Sequence, residues 1–256
     1  MNKQLHLLRT AALAVVFSVA TSAVFAAPSH TRARTGTYSD SKGNSGTTSS
    51  STTRSPGSRQ HTSTWTNQDG QTGSHTKDST WDKTTETGSF SSNTTLINGK
   101  SSARQGTVTE TAPNTYQIQG TNTGLNGKAS TFDLNKTKTD TGSTTTGTIT
   151  GPKGGVSTLN SAVTKNSNGY TKDTTITGPK GGQTTIETSK TKTPGETIKS
   201  KEVTGPNGKT DDRTVDTKLN ADGSGTRTIE NTGPDGKTYT RTENFSAPTR
   251  TSTPSN

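Results

Sequence analysis

Eight glycines, Gly43, Gly70, Gly99, Gly127, Gly154, Gly181, Gly208 and Gly236, recur every 27 to 29 residues along the chain. Around the later ones the text is nearly fixed: Thr150-Gly-Pro-Lys-Gly154, Thr177-Gly-Pro-Lys-Gly181, Thr204-Gly-Pro-Asn-Gly208 and Thr232-Gly-Pro-Asp-Gly236. A fixed period of this length marks one supersecondary unit copied along an elongated body. Halfway between these glycines lies a second set of turn signals, at Pro56-Gly57, Pro113-Asn114, Thr141-Gly142, Asn168-Gly169, Pro194-Gly195 and Asp222-Gly223; only the second repeat lacks a clear one, with Asp82-Lys83 in its place. Glycine accepts positive φ and proline presets a corner, so each repeat reads as two strands joined by tight turns.

The segments between turns are rich in threonine, roughly a quarter of the chain, whose branched Cβ favours extended backbone over helix. Apolar residues alternate only thinly, as in Phe132/Leu134, Tyr116/Ile118 and Leu159/Val163. No 3.6-residue stripe is present. The expected fold is all-β: a repetitive antiparallel hairpin meander of about 14–16 strands over residues 43–245, thin or single-layer. Residues 27–42 and 246–256, rich in Ser, Thr, Arg and Pro, are expected to be disordered ends.

Residues 1–26 have a basic start (Lys3, Arg9), an apolar run and a small-residue exit at Val24-Phe25-Ala26, the pattern of a Sec signal peptide. Localisation is thus expected to be periplasmic, cell-surface or extracellular. No later segment is apolar enough to span a bilayer as a helix. A lipid-facing barrel of this strand number is also not expected, because strands such as Thr171-Lys-Asp-Thr-Thr-Ile-Thr177 lack the alternate apolar residues and aromatic girdles that lipid demands. Only 20% of residues are hydrophobic, too few for a compact single-core domain. The net charge of +10 is spread along the chain and alternates with acids, which reads as a solvated surface with no specific nucleic-acid patch.

Chemistry is sparse. The chain has no cysteine, no nucleophile constellation and no histidine after His75, so no catalytic residue is assigned and an enzyme is not expected. No cofactor or metal is assigned, since two histidines without a carboxylate at ligand spacing are a weak metal signal. His61 and His75, each followed by a tryptophan (Trp65, Trp81), sit half a period apart. They are either a surface contact for sugar or metal or aromatic cross-strand packing that seals the first repeat. Arrays such as Thr62-x-Thr64-x-Thr66, Thr146-x-Thr148-x-Thr150 and Thr238-x-Thr240-x-Thr242 place hydroxyl and methyl groups about 6.7 Å apart on one face.

The Thr-Gly-Pro-x-Gly-x-Thr turns resemble those of a loosely defined set of secreted bacterial Thr/Gly-rich proteins, and Asn220-Ala-Asp-Gly223 and Pro234-Asp-Gly-Lys-Thr238 are similar to the Tyr-Asp repeats of bacterial surface and toxin-shell proteins, without their Tyr-Asp pair. Neither resemblance implies a catalytic residue. The expected function is a secreted or cell-surface structural or adhesive repeat protein of a Gram-negative envelope or matrix. Its expected partners are other copies of itself, envelope polysaccharide or other matrix components. A polysaccharide- or ice-surface-binding module and a disordered cationic exported chain are the alternatives.

Overall fold

The computed structural model describes residues 29–253; the leader expected at 1–26 lies outside them. The described chain is antiparallel β-structure: β1 (Ser29–Asp40), β2 (Ser45–Ser55), β3 (Ser58–Asn67), β4 (Thr72–Asp82), β5 (Thr87–Thr95), β6 (Ser101–Ala112), β7 (Thr115–Thr123), β8 (Ala129–Thr139) and β9 (Gly142–Thr150). It continues through β10 (Val156–Asn166), β11 (Gly169–Thr177), β12 (Gln183–Thr193), β13 (Glu196–Thr204), β14 (Thr210–Leu219), β15 (Gly225–Thr232), β16 (Thr238–Phe245) and β17 (Thr249–Thr253).

All eight repeat glycines adopt positive φ, between +71° and +80°, and sit in turns at one end of the molecule. At the first of these, Gly43 donates its backbone N–H to the Asp40 carbonyl at 3.1 Å, and Asp40 donates to the Asn44 carbonyl at 3.0 Å. That is a type I turn closed by a left-handed residue. The opposite end carries the second set of turns. Here the second repeat, which has no Gly or Asn signal, turns through Glu86 at φ 54°, with Thr84 N–H donating to Asp82 Oδ1 at 2.8 Å. This end is stitched at the repeat period: Glu86, Asn114, Thr141 and Asn168 accept through their carbonyls from the backbone N–H of Glu110, Lys138, Lys165 and Lys192.

The meander closes. From β1 to β16 each strand pairs with its sequence neighbour, and β1 pairs on one side with β2 and on the other with β16 and β17. Gly36–Asp40 bond to β16 and Ser29–Ala33 to β17, so these two short strands share one stave and the cylinder has 16 staves. An open, thin sheet with disordered ends was expected; the sheet is instead a closed barrel, and Ser29–Asp40 and Thr249–Thr253, within the segments expected to be disordered, form strands at its seam. Closure follows from the right-handed twist that accumulates over successive strands and from the unpaired edge an open sheet would expose. With strands about 4.8 Å apart and tilted by about 40°, sixteen staves make a backbone cylinder about 30 Å across.

Side chains hold the seam as well. Tyr239 donates its hydroxyl to Asp40 Oδ2 at 2.5 Å, and the Arg241 guanidinium lies 3.8 Å from the centroid of the Tyr38 ring. Arg34 stacks 4.8 Å from Phe245 and donates to the Gly223 carbonyl at 3.1 Å.

Register sorts the side chains of each strand onto two faces. On β8, Phe132, Leu134, Lys136 and Lys138 turn to the concave side, while Thr131, Asp133, Asn135 and Thr137 face out. The concave face holds the core, made of Phe90, Val108, Tyr116, Ile118, Phe132 and Leu134, against which Trp81, Ile149 and Leu159 pack. A recurrent device builds it. Large lumenal side chains stand directly opposite glycines in the ladder: Tyr38 opposite Gly46, Trp65 opposite Gly73, Trp81 opposite Gly88, Phe90 opposite Gly106, and Phe132 opposite Gly120. A Cβ at Gly120 would sit 2.6 Å from Phe132 Cζ. The rings therefore lie flat along the wall over residues that have no side chain, the pairing by which aromatics compensate strand glycines.

Candidate functional site: a cationic lumen

The same alternation sorts charge. The row Lys138, Ser143, Val163, Lys172, Thr188, Lys201, Arg213, Asn231 and Tyr239 runs across β8–β16 in direct cross-strand register on the concave face. Lys136 and Lys199 face the same way. Immediately beside them in sequence, Asp133, Asp173, Glu187, Glu202, Asp212 and Glu230 point out and are exposed. Strand segments that read as mixed charge, such as Lys172-Asp173 and Lys201-Glu202, send their cation inward and their anion outward. The expectation that the excess positive charge is simply a solvated surface is corrected accordingly.

Burial makes the lumenal cations reluctant to hold their protons. Arg104 is pushed down to about 10 by burial, and Lys136 to about 8 by burial and by Lys138, Lys172 and Lys165. Lys172, 7% exposed, is lowered by burial, Lys201 and Arg104. Arg104 lies on β6, five staves from Lys172, and the register of each strand turns both side chains into the lumen. The Arg104 guanidinium also caps the paired rings of Phe132 and Phe90, 4.5 and 5.6 Å from their centroids.

The strand carboxylates that face the lumen are Asp40, Glu110, Asp211 and Glu243. Glu243 bonds Arg241 at 2.9 Å and Arg227 at 3.3 Å. Desolvation pushes Asp40 up, but hydrogen bonds from Tyr239, Asn44 and Lys42 outweigh it and hold the carboxyl down to about 2.

The residues singled out in the sequence lie on this inner face. His61 and His75 come together, ring centroids 6.3 Å apart, with Nδ1 bonded to the hydroxyls of Thr52 and Thr94 at 2.8 Å each. Burial and cationic neighbours, Lys77 among them, lower both histidines. Among the described residues no group of three or more His, Asp or Glu has the arrangement of a metal site. The two tryptophans do not meet: Trp65 covers Gly73, whereas Trp81, farther along β4, meets Tyr116 edge-on at 6.0 Å. The threonine arrays point outward, on a surface that curves round a cylinder and is not flat.

The outer wall is polar. Its strand positions are mostly Thr, Ser, Gln, Asn, Asp and Glu, with Ala, Gly142, Gly169, Val156, Ile198 and Lys218 among them, and the aromatic residues described above all face the lumen. A lipid-facing barrel needs the reverse arrangement, with apolar side chains and aromatic girdles outside.

No family model and no curated protein matches the chain. Among solved structures it is similar to a triple mutant of the Rh. blastica porin, at 10% identity and TM-score 0.48 over 85% of this chain and 98% of that one. It is also similar to a chain described as "Asymmetric conductivity of engineered proteins", at 9% identity and TM-score 0.47 over the same shares. The closure of this barrel rests on its own strand register. The expected adhesive or structural repeat protein, and its alternatives of a polysaccharide- or ice-binding module and a disordered chain, are corrected by this architecture. The sheet has no free edge for strand addition, the Thr arrays are bent, the Trp and His side chains are internal, and the described chain is ordered.

Proposed function

We propose that the protein is a non-enzymatic barrel of the bacterial envelope whose cationic lumen takes up anionic solutes or polymers. The observation that carries this reading is the sorting of charge by face: lysine and arginine line the lumen while the neighbouring carboxylates are turned to the outside. A low-dielectric wall lined by one sign of charge focuses the field and concentrates counter-ions, and rings of Lys and Arg are how anion and phosphate pores are lined. The signal-peptide pattern read from residues 1–26 supports an envelope location. The polar wall supports a barrel that is surrounded by water.

The test is retention of the purified chain, free of its leader, on immobilised polyphosphate at low salt, about 50 mM, and its elution as salt rises, since binding through several ion pairs falls steeply with ionic strength. A flow-through at low salt contradicts the reading. Current steps from the protein alone in a planar bilayer contradict the water-facing wall.

A further inference from the structure

We propose that the inner face of β3 and β4 contains a stacking seat for a nucleotide unit, free or within a single strand, in which the base lies on the lumenal face of Trp65 and the phosphate meets His61, His75 and Lys77. This rests on the anion-binding reading above and names its ligand chemistry.

Trp65 differs from the other rings of the lumen. A Cβ at its ladder partner Gly73 would run into indole Cε2, Nε1 and Cζ2, so one face of the indole rests on bare backbone and the other looks into the lumen. Tyr38, Phe90, Tyr116, Phe132, Tyr239 and Phe245 each have an Arg or Lys lying 3.8 to 5.9 Å from the ring centroid, and Trp81 meets Tyr116. Among the described residues no ring or cation stacks on the half-buried Trp65.

Register sets basic side chains beside it. On the inner face Arg34, Ser50, Ser63, His75 and Thr94 form the row next to that of Trp65, and Arg32, Thr52, His61, Lys77 and Ser92 form the one after. Successive rows on one face are about 6.7 Å apart. The two imidazoles are held in place through Nδ1 by the hydroxyls of Thr52 and Thr94.

Strands β2, β3 and β5 contain no Asp or Glu, and those of β4, Asp78 and Asp82, alternate with the lumenal Lys77 and Trp81 and face out. The charged groups that lower His61, His75 and Lys77 are accordingly basic, Arg59 among them. Such a wall favours a phosphate. An open indole beside it favours a ligand that also carries a planar ring, and base stacking on aromatics within a positive groove holds single strands without reading their sequence. Polyphosphate would use the cations alone, and a sugar phosphate brings no planar ring.

The test measures binding of the full chain at low salt to an oligothymidylate, to an abasic deoxyribose-phosphate strand of the same length, to thymidine monophosphate and to a hexose phosphate. Emission is read in a Trp81→Phe background, where Trp65 is the one remaining indole. The oligothymidylate is expected to bind at least about tenfold tighter than the abasic strand and to quench Trp65. Trp65→Ala is expected to remove most of that preference while changing affinity for the abasic strand less than about twofold. Tyr170→Ala, a truncated aromatic elsewhere in the lumen, is expected to leave the preference intact. Melting curves establish that both variants fold, and the comparison of the two strands on the parent chain needs neither. Monophosphate binding as tightly as the strand identifies a free nucleotide as ligand, and weaker binding a strand; both support the seat. Equal affinity for the base-bearing and abasic strands, unquenched Trp65 emission, a preference lost equally in the two variants, or quenching by the hexose phosphate and not by nucleotides overturns the seat and leaves the cationic lumen standing. Absence of binding by every anion overturns both.

Discussion

Two sectors of the same lumen are built on opposite principles. From β5 to β8 the inner wall is a small hydrophobic core: Ile118 and Leu134 are each 2% exposed and Val108 1%, and Phe90 and Phe132 stack with centroids 6.2 Å apart across Gly106 and Gly120. From β11 to β16 the inner wall instead carries Lys172, Lys201, Arg213, Arg227 and Arg241 among Thr, Ile, Val and Tyr, with Glu243 bonding the last two arginines. The first sector stabilises the fold by burial and dispersion. The second gathers more cations than carboxylates on one low-dielectric wall, and in this account that excess serves an anionic ligand.

The comparison can be broken most severely in the apolar sector. Leu134→Ala is expected to lose about 3 kcal/mol of stability in denaturant unfolding, and Gly120→Ala a similar amount, because its Cβ would run into the Gln105 carbonyl oxygen on the neighbouring strand. A loss under about 1 kcal/mol for Leu134→Ala would mean that the sector is not a packed core. In the charged sector Arg213→Gln is expected to leave stability within about 0.5 kcal/mol of the parent while lowering the salt dependence of polyphosphate binding by about one ion pair. A large stability loss there would erase the distinction between the sectors.

At the seam Tyr239→Phe removes the hydrogen bond to Asp40 and is expected to cost about 1 kcal/mol, read as a shift in unfolding midpoint. The smallest effects are those of pH. Lys136, at about 8 when folded, regains its usual value on unfolding, so above pH 8 the unfolded chain holds more protons and stability rises with pH toward about 10. Asp40, at about 2, acts at the acid end: its contribution is present above about pH 4 and lost as pH falls toward 2. Melting temperature measured across both windows checks the two signs.

The strands were legible because glycine leaves a local signature: Gly43 through Gly236 mark the turns by needing positive φ, and threonine fills the ladders between. Glu86 shows the limit, since a non-glycine residue in the left-handed region gives no such signal. Closure was not legible. It depends on Gly36 opposite Phe245 and on Arg241 over Tyr38, contacts between residues some two hundred positions apart with no periodic mark. The lumenal charge did leave a signal, in that Lys136 and Lys138 share the phase of Phe132 and Leu134. Alternating Lys and Asp read as mixed surface charge only because the two faces had not been told apart. The pairing of aromatics with glycines on the next strand was equally hidden, since it appears only once the register is known.

The central claim is that the meander closes through β1 and β16. Thr37 and Asn244 are direct register partners across that seam, whereas Thr37 and Asn160 lie on staves well separated around the ring. In cysteine variants of the full chain under mild oxidation, Thr37→Cys/Asn244→Cys is expected to cross-link within the monomer in high yield and Thr37→Cys/Asn160→Cys to remain reduced. Equal cross-linking of the two pairs, or none at the seam in a chain with β circular dichroism, would contradict the closed barrel.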